Sequence, residues 1–531
     1  MRDKNTLTKI LLISSLAVAW VFDLLFWNKA IGISFAIFVV VTLSVGFSLA
    51  GRANLTPARK SLWLLAPIGL LWMMTILREE LFSIFFARIF TLLFMALLAA
   101  SFRSGRWPKY GFGDYLTKLL LLPFRGLIAY REFGAQRRKG AASPAEFGLI
   151  RSIGLGLLLA LPLLFIFGTL LSSADPIFGS RLSDLLGFLR LDQLIETFWR
   201  AFTIGVLGII LLGVYSYSLF RSSDEALIGE DEPFFRPLLG FPVTATILVS
   251  IESLFSAFVL VQFQYFFGGA SNIHLDGYTY ADYARQGFGE LVTVVAMSVG
   301  LFVVLSLLTS PETKKQTHWF SRLGIILFAQ VVVILASAFK RLVLYEGAYG
   351  FTQIRALVHI FMIWLGLLLI AFVILEARGK HRAYTNAALL AAFGFTATLS
   401  LMNVDAFIVG ANVRRLEISH ELDLPYLAWL STDAAPRLLD DFQRIATNGD
   451  EEDSRLLLAT LACHAYNHNE YVRPEAWQSF HLSGEIARRA WAEFKTSDDF
   501  GRVTLIRDDA TGNSISIDGE IFGCSQETSF E

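Results

Sequence analysis

Charged side chains are scarce in this chain: Asp, Glu, Lys and Arg make up 17% of its 531 residues, against about a quarter in a soluble domain. That deficit excludes an ordinary water-soluble globule. Cysteine is scarcer still. Cys463 and Cys524 are too few for a thiolate zinc cluster. They leave two readings open, one disulfide in an extracytoplasmic domain or two unpaired thiols. His464 and His468 lie one helical turn apart, but a zincin needs Glu after the first His, and Ala465 stands there. No phosphate-binding glycine loop, kinase signature or nucleophile elbow occurs. No metal site and no cofactor is expected.

What fills the chain is apolar sequence, 54% by composition. About eleven runs approach the roughly 20 residues that cross a hydrocarbon core of about 30 Å. They fall near 8–28, 30–50, 61–77, 81–102, 149–171, 198–220, 238–267, 288–308, 320–340, 355–376 and 384–403. Only helices or closed barrels satisfy the backbone in lipid. The expected fold class is therefore an all-α polytopic membrane protein with a small, mainly helical soluble C-terminal domain. The first run is too long for a signal-peptide core and no small-residue cleavage site follows, so it reads as an uncleaved span. Pro67 and Pro162 are expected to bend their spans, and Pro242 to break or tilt the seventh.

Charge divides the chain. Residues 1–403 carry 34 Lys/Arg and 23 Asp/Glu, whereas residues 404–531 carry 11 and 23. The expected domains are thus a transmembrane bundle, 1–403, and an acidic tail, 404–531, which offers no nucleic-acid face. With the N-terminus inside, the internal loops hold 23 Lys/Arg and the external connections 8. The positive-inside rule then gives a multi-pass protein of the cell (inner or plasma) membrane, with its N-terminus cytoplasmic and its tail extracytoplasmic. The bilayer is the first partner expected. Loop 103–148 carries nine of the internal cations; its 115–133 stretch suits an interfacial helix, with Arg137, Arg138 and Lys139 drawn to anionic headgroups. In the tail, 434–445, 454–468 and 474–494 have helical periodicity, and 502–507 with 514–518 form a hairpin.

Ionisable groups beside or within spans are costly and mark candidate sites. Arg78, Glu79 and Glu80 end the third span, and Asp175 follows the fifth. Asp282, Arg285 and Glu290 open the eighth, while Arg341, Glu346 and Arg355 bracket the ninth-to-tenth connection. This topology puts all ten on the external side, where they would form an outward-facing charged vestibule; interfacial ion pairing is the structural alternative. Glu252 is the one acid deep within a run, near Gln262 and Gln264, while Asp23 and Arg88 lie nearer the ends of theirs. Gly347 and Gly350 permit a tight excursion between the ninth and tenth spans.

Several segments resemble an uncharacterised bacterial membrane family, the domain-of-unknown-function 4153/4173 group. They are Ser173-Ala174-Asp175-Pro176-Ile177-Phe178, Tyr283-Ala284-Arg285-Gln286-Gly287-Phe288-Gly289-Glu290-Leu291 and Tyr349-Gly350-Phe351-Thr352-Gln353-Ile354-Arg355. Two more are Asn403-Val404-Asp405-Ala406-Phe407 and Leu430-Ser431-Thr432-Asp433-Ala434-Ala435-Pro436. The resemblance covers about 150–440 and departs from the family pattern at Val404 and at Gly410-Ala411. It implies a multi-pass membrane protein and no particular chemistry. Three functions remain as expectations. One is binding or translocation of a polar ligand through the vestibule. Another is an enzyme acting on a lipid-linked envelope substrate, with Glu290 or Glu346 as base. The third is an envelope sensor or scaffold whose tail contacts a protein partner.

Overall fold

A computed structural model describes residues 2–135, 171–180, 191–223, 238–267, 288–310, 312–469, 476–508 and 512–524, with isolated positions at 156–170 and at 227. The helices in chain order are α1 Arg2–Phe26, α2 Ile33–Arg52, α3 Arg59–Leu62, α4 Leu65–Leu77, α5 Leu81–Ser101, α6 Phe112–Leu120, α7 Leu122–Ala135, α8 Leu191–Phe220 and α9 Phe241–Phe267. They continue as α10 Phe288–Leu308, α11 Lys314–Tyr349, α12 Gln353–Ala377, α13 Ala383–Met402, α14 Val404–Ser419, α15 Leu424–Ala428, α16 Ala435–Asn448, α17 Glu451–Asn469 and α18 Leu482–Lys495. Ten stretches among the described residues are long and apolar enough to span a membrane. The chain is a polytopic helical membrane protein. The expected fifth span, 149–171, lies largely outside the described residues.

Several boundaries differ from expectation for local reasons. Pro242 stands in the first turn of α9, where a missing N–H costs nothing, so it starts that helix instead of breaking it. Pro67 likewise sits in the first turn of α4. The ninth span continues through Lys340 and Glu346 to Tyr349. Gly347 is therefore helical, and the turn into α12 is made by Gly350 alone at φ 75°. In the tail, 404–419 is helical as well. A third strand, Glu520–Gly523, extends the hairpin of Val503–Asp508 and Gly512–Ile517 into a meander.

The chain divides into two units, one comprising 1–28, 40–56 and 121–223, the other 29–39, 57–120 and 224–531. The expected interfacial stretch 115–133 is broken at Leu121, where the division between the units falls, and in the first unit α7 packs closely on α8. A Cβ on Gly126 would fall 1.7 Å from the carbonyl oxygen of Gly213, so only glycine permits this approach. Asp23 of α1 is buried and receives Arg200 of α8 through Nε and Nη2 at 3.0 and 2.6 Å. Across this ion pair, Trp27 donates its indole N–H to Glu196 at 2.8 Å.

In the second unit the helix ends sort into two groups. At one end Ser61 donates to the carbonyl of Ser101 at 2.6 Å, Arg382 reaches Asp114 at 3.1 Å, and Asn386 donates to the carbonyls of Pro108 and Tyr110. At the other end lies the C-terminal domain. Its apolar core is continuous with Ala356, Ile360, Phe395 and Leu399 of α12 and α13, and runs through Val404, Ile408, Leu427, Leu438 and Leu457 to Trp491 and Ile517. Packing therefore shows no seam at 403.

Candidate functional site

The most concentrated set of buried ionisable groups lies where the C-terminal domain meets the ends of α2, α4, α5, α11, α12 and α13, all within the second unit. Its centre is Asp433, 3% exposed. Ser431 caps a short 3-10 turn over Thr432–Ala434 by accepting from the Asp433 amide, which carries the Asp433 side chain to the α4–α5 turn. There Oδ2 accepts from the amides of Glu79 and Glu80 at 2.8 and 2.9 Å, and Oδ1 lies 3.5 Å from the Arg78 guanidinium. Arg78 also donates to the Ser400 carbonyl at 3.1 Å. Burial raises the Asp433 pKa above the usual carboxylate range, against the opposing pull of the two amides and Arg78. Glu80 turns back and caps α5, accepting from Phe82 and Ser83 amides at 2.8 and 2.7 Å. Glu79 accepts from the Thr432 hydroxyl, which in turn meets Ser483 at 2.9 Å.

A second carboxylate, Asp405, opens α14. It is fully buried and accepts from Gln353 Nε2 at 2.7 Å and from the Ser431 amide at 2.9 Å. Burial pushes its pKa up to about 7 in spite of these donors. Asn403 makes the break between α13 and α14 in the left-handed region, at φ 53°, caps the Ala406 amide and donates to the Asp433 carbonyl. The α11–α12 turn is tied down in the same way. Asn412 accepts from the Phe351 amide and donates to the Phe351 carbonyl, at 3.0 and 2.9 Å. Arg355 donates to the carbonyls of Tyr349 and Gly350 at 3.1 and 2.6 Å and lies 4.2 Å over the Tyr345 ring. Glu346, buried in α11, faces His359 at 3.1 Å.

The start of α2 is capped by the tail itself. The amides of Gly32 and Ile33 donate to the carbonyls of Gln478 and Phe480 at 3.2 and 2.9 Å, filling positions that a helix N-terminus leaves open. A Cβ on Gly32 would lie 2.4 Å from Ser479 backbone carbon. Arg88 and His481 both donate to the Ile31 carbonyl, at 2.6 and 3.1 Å. Deeper in the domain, His464 and His468 donate Nε2–H to the carbonyls of Ser431 and Leu430 at 3.2 and 2.7 Å. Burial drives the His464 pKa down to about 3 and also lowers those of His468 and His481, so all three imidazoles are neutral at pH 7. Cys463 and Cys524 form a disulfide. The Cys524 carbonyl accepts from Trp429 and Asn467, which holds the strand meander to α17.

The geometry brings Arg78, Glu79, Glu80, Glu346 and Arg355 into this layer and engages each with the protein's own groups. Asp175 lies elsewhere, in the first unit, and caps the amides of Ile177 and Phe178. Arg341 is half-buried in α11, and Glu290 is exposed in the first turn of α10. Asp282 and Arg285 lie outside the described residues, as do Arg137, Arg138 and Lys139. Asp405 is among the ionisable groups that the sequence places on the external side, after the last span; Asp433, Gln353 and Asn412 are not expected site residues, although Gln353 and Asp433 lie in the segments that carry the family resemblance. The signals for Asp433 and Asp405 are local: Ser431-Thr432-Asp433 is a side-chain-capped turn, and Asn403-Val404-Asp405 an N-cap followed by an acid. No group of three metal-ligating side chains occurs among the described residues.

Fold and site together define a polytopic helical membrane protein whose C-terminal domain is bonded to one set of its helix ends. A model of a family described as a domain of unknown function, DUF4153, matches residues 65–440; the chain belongs to that family. No curated protein and no solved structure matches it significantly.

Proposed function

We propose that this protein is an envelope sensor or scaffold whose C-terminal domain lies outside the cell membrane as a fixed extension of the bundle. The observation that carries this reading is the bonding of the domain to the helix ends: Asp433 to the 79–80 amides, Asp405 to Gln353, Asn412 to Phe351 and the 478–480 backbone to α2. A partner bound to such a domain would act directly on α2, the α4–α5 turn and α12. A charged vestibule for a polar ligand has less support, because Arg78, Glu79, Glu80 and Arg355 already hold internal partners. A catalytic base for a lipid-linked substrate is likewise less supported at Glu346, which is 3% exposed against His359.

Three lines support the external placement. Within the second unit, Arg59, Lys60, Lys314, Lys315 and Arg378 lie at the opposite helix ends. A disulfide persists in oxidising compartments. The third is parity. Glu80 and Phe351 bond to the same domain, so the chain between them crosses the membrane an even number of times. The described residues there hold five candidate spans, and the apolar run 149–171 read from sequence is the stretch left to supply a sixth.

A phosphatase reporter fused after Glu531, active only outside, tests the side. It should be active, and Cys463 and Cys524 should resist alkylation until reduced and denatured. Photo-crosslinkers at the exposed Ile521 or Phe500 should then capture an envelope protein. A cytosolic tail, or a ligand-induced melting shift abolished by Arg355→Ala with no crosslinked partner, overturns the reading.

A further inference from the structure

Among its described side chains α9 buries four, Thr244, Leu248, Glu252 and Gln262, and three of them are polar. A span that keeps polar groups off lipid needs a partner for each. Two have one. Thr244 Oγ1 lies 2.8 Å from Thr309 Oγ1, and Gln262 Oε1 accepts from Ser337 at 2.6 Å. Glu252, between them, has none among the described residues: its Oε1 is buried with no hydrogen bond, and no cation is paired with it.

The facing residue on α11 has the same defect. Gln330 donates Nε2–H to the Glu252 carbonyl at 3.1 Å and to Ser256 Oγ at 2.7 Å, which places it at the level of Glu252. Its Oε1 is buried and without a donor. Two acceptor oxygens thus face one level of the helix interface, and neither receives a hydrogen bond among the described residues. Leaving a buried polar atom unmatched is destabilising, and more so for a charge. One hydrogen cures both: a carboxylic O–H on Glu252 donates to Gln330 Oε1, and the carboxyl becomes neutral where hydrocarbon penalises an anion.

We infer that Glu252 is a proton-binding site inside the membrane, sharing its proton with Gln330 across the α9–α11 interface and exchanging it with solvent. The site is independent of the sensor or scaffold reading, since it touches neither the C-terminal domain nor its contacts.

Infrared difference spectra of the full chain in lipid bilayers, recorded across pH, test it. A protonated-carboxyl band should be present at neutral pH, vanish reversibly at alkaline pH and be absent from Glu252→Gln. Gln330→Leu should shift it towards a weaker hydrogen bond. No Glu252-dependent band at any pH overturns the inference, as does a band that never titrates. A band that disappears on adding sodium at constant pH also overturns it, making the site one for a metal cation. Should Glu252→Gln not fold, dicyclohexylcarbodiimide replaces it as probe of the native chain. The carboxylic O–H adds across one C=N bond and the adduct rearranges to a stable N-acylurea, with nothing oxidised and no group lost. Mass spectrometry should find this adduct at Glu252, in a yield falling as pH rises; an unmodified Glu252 overturns the inference.

Discussion

Asp433 and Glu252 are both carboxyl groups at least nine-tenths buried, yet one accepts two backbone amides and faces a guanidinium, while the other has no side-chain partner among the described residues. The difference follows from where each stands relative to helix termini. Asp433 meets the α4–α5 turn, where the amides of Glu79 and Glu80 have no intrahelical acceptor and are available to a carboxylate. Glu252 stands in mid-helix, where neighbouring amides are already bonded along the helix. A carboxyl group there must find a side-chain donor or carry its own proton. The acids between spans bind the fold together, as do Asp23 and Glu346 within spans through Arg200 and His359, whereas Glu252 is left without a partner among the described residues.

The sharpest way to break this comparison is to neutralise both members. Asp433→Ala should remove the acceptor of two backbone amides and the ion-pair partner of Arg78 at once, costing about 3–5 kcal/mol as for other broken buried pairs. The readout is loss of hydrogen-exchange protection at the Glu79 and Glu80 amides together with a lower melting temperature. Glu252→Gln should change stability by less than about 1 kcal/mol, because a glutamine N–H can donate to Gln330 Oε1 as the proposed carboxyl does. Equal destabilisation by the two substitutions would erase the distinction.

A middling effect is expected from the disulfide, which supports the junction from behind. Cys463 and Cys524 are 61 residues apart, and closing a loop of that size typically contributes about 2–4 kcal/mol. Replacing both by alanine should lower the denaturant midpoint accordingly and loosen the meander first, through the Trp429 and Asn467 bonds to the Cys524 carbonyl. The Asp433 contacts should persist, since none of them runs through the meander. If hydrogen exchange shows the 79–80 amides opening as readily as in Asp433→Ala, domain and junction are one cooperative unit.

The membrane bundle was legible because length and apolarity are sufficient physical conditions for a span. Of the ten groups expected together on the external side, Arg78, Glu79, Glu80, Glu346 and Arg355 lie at one set of helix ends in the second unit. Their partners were not legible. Asp433 lies more than 350 residues from Glu79, and Gln353 52 residues from Asp405; nothing local in the sequence announces such pairings. Asp23 could be seen as an intramembrane acid, but Arg200 was read as part of an apolar span and not as its counter-ion. The disulfide stayed undecided for the same reason, because two cysteines carry no record of distance.

The smallest effect in the native chain is its dependence on pH, and it is small because two buried groups oppose each other. Asp405 has a pKa of about 7 in the fold against 3.8 unfolded. The folded chain therefore holds one more proton between these values, and the contribution of Asp405 is full below pH 3.8 and lost as pH rises towards 7. His464 runs the other way, with about 3 folded against 6.5 unfolded, so its contribution is full above pH 6.5 and lost as pH falls. Between about pH 4 and 6.5 the two slopes cancel, each worth roughly 1.4 kcal/mol per pH unit. His468 and His481, lowered by burial as well, add acid sensitivity, and Asp433, raised by burial, opposes them. Asp405→Asn keeps the Ser431 contact, and a flipped Gln353 amide can accept from the new N–H, so the junction should survive. Its stability, followed by the fluorescence of Trp491 beside His468, should then rise with pH more steeply than the native chain by about one proton. An unchanged slope would show that Asp405 is ionised in the fold, held as an anion by Gln353 and Ser431.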